Sequence, residues 1–364
     1  MQVKELLSFL NGLAPFTYQE SYDNSGLIVG DSNDEVKGVL VALDCLESIV
    51  DEAVENQCNV ILTHHPIIFK GLKRITGTTY VERTVMKAIR NNISLISFHT
   101  NLDNVMPGVN QIICNRLGLQ QIKILTPKPA GLLKLTVYVP AENAVELREA
   151  LALAGAGQIG AYTSCSFSSD GTGRFKPLEH ANPHIGTKMQ LEEVSKQKIE
   201  VIVPVAAKSK VLEAMRGAHP YEEIAFDLIE LVNTNNQIGA GMVGLFEKAI
   251  PVQDFLLEVK KQFGCGALKH TALVKKEIQK VAVCGGSGSF LLQDAIRAGA
   301  DVFITADFKY HEFFDAENRI IIADIGHFES EQYTSQWLVE QLKKNFTNFA
   351  IRLTNVNTNP INYL

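Results

Sequence analysis

A layered α/β domain made from the two ends of the chain, with a ferredoxin-like α+β domain inserted between them, is the architecture this sequence predicts. Three observations predict it. Apolar, strand-like runs alternate with helical patterns through the first third of the chain, and the same rhythm returns in the last third. The middle carries a different pattern, which repeats itself once.

The opening stretch "MQVKELLSFLNGLAPF" sets Leu6, Leu7, Leu10 and Leu13 at helical spacing with Lys4 and Glu5 among them. This is an amphipathic helix without the apolar core of a signal peptide. Next come the strand-like "GVLVALD" (38–44), a helix from Ser48, the strand-like "NVILTHH" (59–65), a helix around Val81 to Arg90, and "ISLISFHTNLD" (93–103). That order is the rhythm of a parallel sheet. It resumes with "KVAVCGGSGSF" (280–290), a helix to Ala298, "DVFITADFKYHEFF" (301–314) and "RIIIADIGHFESE" (319–331).

In the middle, "LLKLTVYVPAENAVELREAL" and "KIEVIVPVAAKSKVLEAM" align so that Pro140 meets Pro204, Leu147 meets Val211 and Ala150 meets Ala214 at one constant offset. With "AYTSCSF" (161–167) and "EIAFDLIEL" (223–231) as partner strands, the order is β-α-β-β-α-β, a ferredoxin-like plait. The polar "NTNNQIG" (233–239) reads as a surface linker returning the chain. The expected domains are therefore a discontinuous α/β domain, 1–126 with 250–364, and an insert, 127–249.

Composition narrows the function classes. With 364 residues and 46 % hydrophobic content there is enough chain for two or three real cores. Interspersed charges summing to −6 argue against a nucleic-acid partner and against an anionic membrane surface. No uncharged run approaches the ~18 residues that cross a bilayer. Six scattered cysteines without a Cys-x-x-Cys pair disfavour a disulfide framework or a thiolate zinc site, so the expectation is a reduced, cytoplasmic protein.

Among the motifs, "GAGMVG" (239–244) matches G-x-G-x-x-G but follows an Asn-rich loop and precedes an extended run, so it is no dinucleotide site. The turn in "VCGGSGSFLLQDA" (283–295) does join a strand to a helix. Its Gly285, Gly286 and Ser287 are candidates for an anion cradle, or simply for a tight turn.

Three further segments, "LTHHP", "SFHTNLD" and "ADIGHFESE", put His64, His65, Asp103, His327 and Glu331 just past apolar strands, where open α/β sheets gather ligands. His327 and Glu331 lie four apart, and a helix beginning near Ser330 would turn both toward one point. Imidazole and carboxylate without thiolate suit zinc, manganese, iron, nickel or cobalt. Five donors exceed what one ion uses, and suit two divalent ions about 3.5–4 Å apart. Neighbours on a strand face opposite ways, so adjacent His64 and His65 need explaining. At the strand end, with Pro66 keeping His65 extended, two imidazoles fan apart and serve adjacent ions. The competing reading puts one in the core and the other in solvent.

These residues carry a resemblance to the Ngg-interacting-factor-like proteins, also called the GTP cyclohydrolase I type 2 family. It rests on six motifs in order: "YDNSGLIVG" (22–30), "LTHHPIIF" (62–69), "SFHTNLD" (97–103), "VAVCGGSGS" (281–289), "TADFKYH" (305–311) and "ADIGHFESE" (323–331). The resemblance implies a dinuclear metal centre held by His64, His65, Asp103, His327 and Glu331, with the glutamate bridging. It also implies a ring-like homohexamer and an insert similar to the PII and CutA plait, to which "HPYEEIAFD" (219–227) is typical. His99 and His311 match recurrent family positions and are candidates for proton transfer. Ala306, Phe328 and Ser330 depart from the family's usual Gly, Tyr and Thr without removing a donor.

The expected function is that of a dinuclear-metal hydrolase acting on GTP or a nucleotide-like compound. The alternative is a metal-binding regulatory or scaffold ring without turnover.

Overall fold

The computed structural model describes every residue except Ala130. It divides into two compact units, Met1–Thr126 with Ile238–Leu364, and Pro127–Gln237. In the first unit one sheet orders its strands Gly26–Val29, Ser94–Ser97, Val60–Thr63, Gly38–Ala42 and Ala350–Leu353. The first pairs antiparallel and the rest are parallel. The other sheet runs Lys269–His270, Ile321–Asp324, Val302–Ala306, Glu277–Ser287, Thr234–Pro251 and Gln120–Pro129, with its second to fourth strands parallel.

The apolar runs form strands because both faces of each sheet are covered. Val39, Val41, Val60, Leu62 and Ile96 of the first sheet share one core with Val281, Val283, Val302, Ile304 and Ile321 of the second. Leu6 and Leu10 of the helix Val3–Leu13 join it. The alternate residues Leu40, Ile61 and Leu95 pack instead on the helices Glu47–Glu55 and Tyr80–Arg90 through Ile49, Val50 and Val85. Ala282, Phe303 and Ile322 face a further cluster with Leu292 and Ala295. Continuous Val/Ile/Leu strands are the signature of such two-sided burial. No helix among the described residues is long and apolar enough to cross a membrane.

The second unit is a four-stranded antiparallel sheet in the order Phe167–Phe175, Glu192–Pro204, Leu132–Pro140 and Phe226–Glu230. Its repeat is real in three dimensions. Pro140 and Pro204 each precede a short 3-10 turn that opens the helices Ala144–Leu153 and Lys208–Ala218. Leu147 and Val211 then occupy one core with Leu135, Val137 and Val201.

Three expectations need correction. The strand sought at 161–167 begins where that stretch ends, at Phe167, because Ile159 and Tyr162 close a small bridge before it. The stretch 233–239 is no surface linker: Thr234–Pro251 is one long strand, and Met242–Leu245 pair with Lys280–Val283. The inserted unit consequently ends at Gln237, well short of 249.

Candidate metal centre

The carboxyl ends of the parallel strands converge on one cluster. Past Thr63 the His64 and His65 N–H groups still donate to the Ala42 and Leu43 carbonyls, but the chain bends there, and the two imidazoles come to one cluster instead of opposite faces. Their ring centroids lie 5.0 Å apart, tilted by 49°. His64 is fully buried, and its Nδ1–H donates to the Phe98 carbonyl (2.9 Å). That bond fixes the tautomer and leaves an Nε2 lone pair. Asp103 comes from the single turn Thr100–Asp103 after the Ser94–Ser97 strand. His327 and Glu331 lie on the helix His327–Glu331, which starts three residues earlier than Ser330, so they form a true i, i+4 pair. Gly326 opens that helix at φ 95°, and a Cβ there would strike the Glu329 carboxylate.

Two groups form around Glu331. Its Oε1 lies 3.8 Å from His64 Nε2, which is 3.5 Å from Asp103 Oδ1. Its Oε2 lies 2.9 Å from His65 Nε2 and 3.1 Å from His327 Nε2, which are 3.3 Å from each other. His64 Nε2 and Asp103 Oδ1 are both buried and neither has a hydrogen-bond partner. Two buried polar atoms left without a partner are costly, and a cation would satisfy both. The residues therefore fit divalent ions, with donor atoms of each group within 4.8 Å of one another. Cys284 lines the adjoining cavity but joins none of these groups, whose donors are imidazole and carboxylate alone.

The electrostatics agree. Burial opposes charging His65 and His327, yet Glu331 together with Asp44 beside His65 and Asp307 beside His327 outweighs it, and their pKa values are held up at about 9 and about 11. Burial also opposes the Glu331 charge, but His327 and His65 hold its pKa well below the usual carboxylate value. Burial, aided by the Glu331 charge, pushes the Asp103 carboxyl up to about 7. Protons on His65 and His327 thus do what cations do in a donor set of this charge.

Three carboxylates escaped sequence reasoning. Asp44 Oδ1 accepts from His65 Nδ1 (2.8 Å), Asp307 Oδ2 from His327 Nδ1 (2.7 Å), and Asp23 Oδ1 from His99 Nδ1 (2.7 Å). Each orients an imidazole, as carboxylates behind metal-bound histidines do. Asp44 and Asp307 sit just past apolar strands, so the criterion that singled out Asp103 would have found them. Asp44 also accepts from Thr358 Oγ1 (2.6 Å), and Tyr363 and Asn359 reach Glu329. No periodicity marks those last residues.

Two cavities meet the cluster. One of about 770 Å³ is lined by His65, His99, His327, Phe69 and Tyr363. The other, about 470 Å³, is lined by His99, Asp103, Glu331, Tyr22 and Phe290. His99 faces both, its ring 5.2 Å from His64 and 5.4 Å from His65. His311 does not join them. It is exposed on the turn Tyr310–Ala316, stacked beside Tyr310 and Phe314, because that turn directs it away from the strand ends.

The anion cradle also needs correction. The Gly285 and Gly286 N–H groups donate to Asn110 Oδ1 and Ser330 Oγ (both 2.9 Å), so neither is free for a ligand. Ser287 only contributes to the cavity wall. The glycines instead allow close approach: at Gly286, φ 60°, a Cβ would lie 2.4 Å from Glu331 Oε1. Gly286→Ala should therefore displace Glu331 and cost about 1–3 kcal/mol of stability through strain. Thermal unfolding together with metal content checks this; an unchanged Tm and full metal loading would contradict it.

Comparison with known proteins places the chain. The profile of the Duf34/NIF3 (NGG1p interacting factor 3) family matches residues 1–360. A Halalkalibacterium halodurans protein named GTP cyclohydrolase 1 type 2 homolog is 42 % identical over 324 residues, covering 88 % of this chain and 87 % of its own. A Staphylococcus aureus protein of the same name is 34 % identical over 369 residues, the full length of both. The crystal structure of a Bacillus cereus protein related to NIF3 superposes with a TM-score of 0.88 at 36 % identity, covering 100 % of this chain and 99 % of that one.

Proposed function

Because the chain belongs to the Duf34/NIF3 family, we propose that it is a cytoplasmic, dinuclear-metal-dependent hydrolase acting on GTP or a nucleotide-like compound. One observation carries the reading: a single buried carboxylate turns one oxygen toward His64 and Asp103 and the other toward His65 and His327. His64, Asp103 and Glu331 would hold one divalent ion, and His65, His327 and Glu331 the second. Bound there, such a pair lowers the pKa of a water and polarises the bond that water attacks.

The chain's own residues supply the rest. Asp23 holds the His99 ring by Nδ1, leaving its other nitrogen for a proton at the mouth of both cavities. Tyr22 and Phe69, ring centroids 6.1 Å apart, give a planar base an aromatic wall. With GTP, water adds to the carbon between the two imidazole nitrogens of guanine, the ring opens, and that carbon leaves as formate after a second water adds. The names of the relatives support this substrate. The family resemblance supports assembly as a homohexamer, to be read by sedimentation. Six free cysteines accord with a reducing compartment.

The test is formate release from GTP by chelated protein, then by protein reloaded with zinc, manganese, iron, nickel or cobalt. Release should appear only after reloading. No release with any metal, in protein that binds two ions, would remove GTP and favour a regulatory metal-binding ring.

A further inference from the structure

Within the unit Pro127–Gln237, residues 176–191 connect two paired strands without any helix or strand of their own. A connection of that length in a compact unit is uncommon, and where it is held in place it usually carries function. This one is held. The Met189 N–H donates to the Pro177 carbonyl (2.7 Å), the Asn182 N–H to Glu222 Oε1 (2.8 Å), and the Thr187 N–H to Glu192 Oε1 (2.7 Å). It closes one side of a cavity of about 380 Å³, a size typical of small-molecule sites.

The opposite wall is built around Lys196. Its ammonium lies 4.7 Å from the Tyr221 ring centroid and 5.3 Å from that of Phe175. Gly173 makes this possible: a Cβ there would sit 2.5 Å from Lys196 Cδ, so the glycine opens the lane by which the lysine crosses the neighbouring strand. Among the described residues no carboxylate pairs with Lys196, and burial lowers its pKa. Beside it, the Tyr221 hydroxyl is buried and has no hydrogen-bond partner. His184 packs its ring 6.1 Å from Tyr221, and the rim carries Arg174, paired with Glu193, and Lys176 against Glu222 and Glu223, which leaves Lys196 as the cation set over the rings.

An unpaired cation held over two aromatic rings in one cavity has a natural partner, an anion. We propose that this cavity binds a small organic anion carrying a planar ring, with the anionic group on Lys196 and the ring against Phe175 and His184. The proposal is independent of the hydrolase reading, since every residue it uses lies in Pro127–Gln237.

Titration calorimetry on the full chain tests it with 5′-AMP as probe and its two halves, adenosine and inorganic phosphate, as controls. AMP should bind saturably at one site per chain and more tightly than either half. Lys196→Met should weaken it at least tenfold, with Tm unchanged. Chelated protein should bind AMP as well as untreated protein does. Failure of all three probes, binding indifferent to Lys196→Met, or binding lost on chelation would each overturn the site. Phosphate binding as tightly as AMP would overturn the role of the ring.

Discussion

Glu331→Gln is expected to empty both proposed metal positions and, with them, to abolish the proposed formate release. The substitution keeps the shape of the side chain but removes the one negative charge shared by both donor groups. It also puts an amide NH₂, which donates and cannot accept, where one of the two carboxylate oxygens had faced imidazole nitrogens. Loss of an outer carboxylate behind a metal-bound histidine costs about 10–100-fold in affinity. Loss of the shared inner one should exceed that range for both ions together. Elemental analysis after dialysis against a weak chelator reads the result, and Asp44→Asn and Asp307→Asn give the milder comparison. A Glu331→Gln protein that retains two ions would refute the assignment of this residue as the bridge.

Phe98→Ala should be the most damaging change to the fold that also reaches the cluster. Phe98 is fully buried and packs edge-on against Phe16, ring centroids 5.9 Å apart. Truncating a buried phenylalanine costs about 3–5 kcal/mol, from lost transfer free energy and from the cavity left behind. Its carbonyl accepts the His64 Nδ1–H, so backbone relaxation into the cavity would also free His64 to rotate. Denaturant unfolding should therefore show a large loss of stability, while metal binding weakens through His64. Phe303→Ala supplies the contrast: Phe303 is equally buried but packs in a cluster with Leu292 and Phe308. It should destabilise comparably and leave metal affinity near wild type. Equal loss of affinity in both would show that Phe98 acts through global stability alone.

Much of the parallel α/β rhythm was legible because strands such as Val60–Thr63 and Val302–Ala306 are buried on both faces and leave unbroken Val/Ile/Leu runs. The donors at their ends were legible for the same reason, since a histidine or carboxylate immediately after such a run stands out. Asp44 and Asp307 also follow such runs, but each stands without a histidine beside it, which makes its signal weaker. Thr234–Pro251 was hidden by composition: its Asn and Gly residues suit a turn, and pairing with Glu277–Ser287 overrides that preference. The glycines at 285 and 286 were ambiguous because closeness to a ligand and closeness to Glu331 make the same demand on a Cβ. His311 lines neither cavity, and motif membership says nothing about which way a turn points its side chain.

The order of the donors along the chain has a bearing on when a metal can be captured. Both carboxylate-containing groups require Glu331, which follows all their other members and the whole of Pro127–Gln237 in sequence. A growing chain on the ribosome therefore exposes His64, His65 and Asp103 early, with neither of those groups yet complete. Any ion that either group holds can be loaded through it only late in the life of each molecule, after synthesis has passed the last donor.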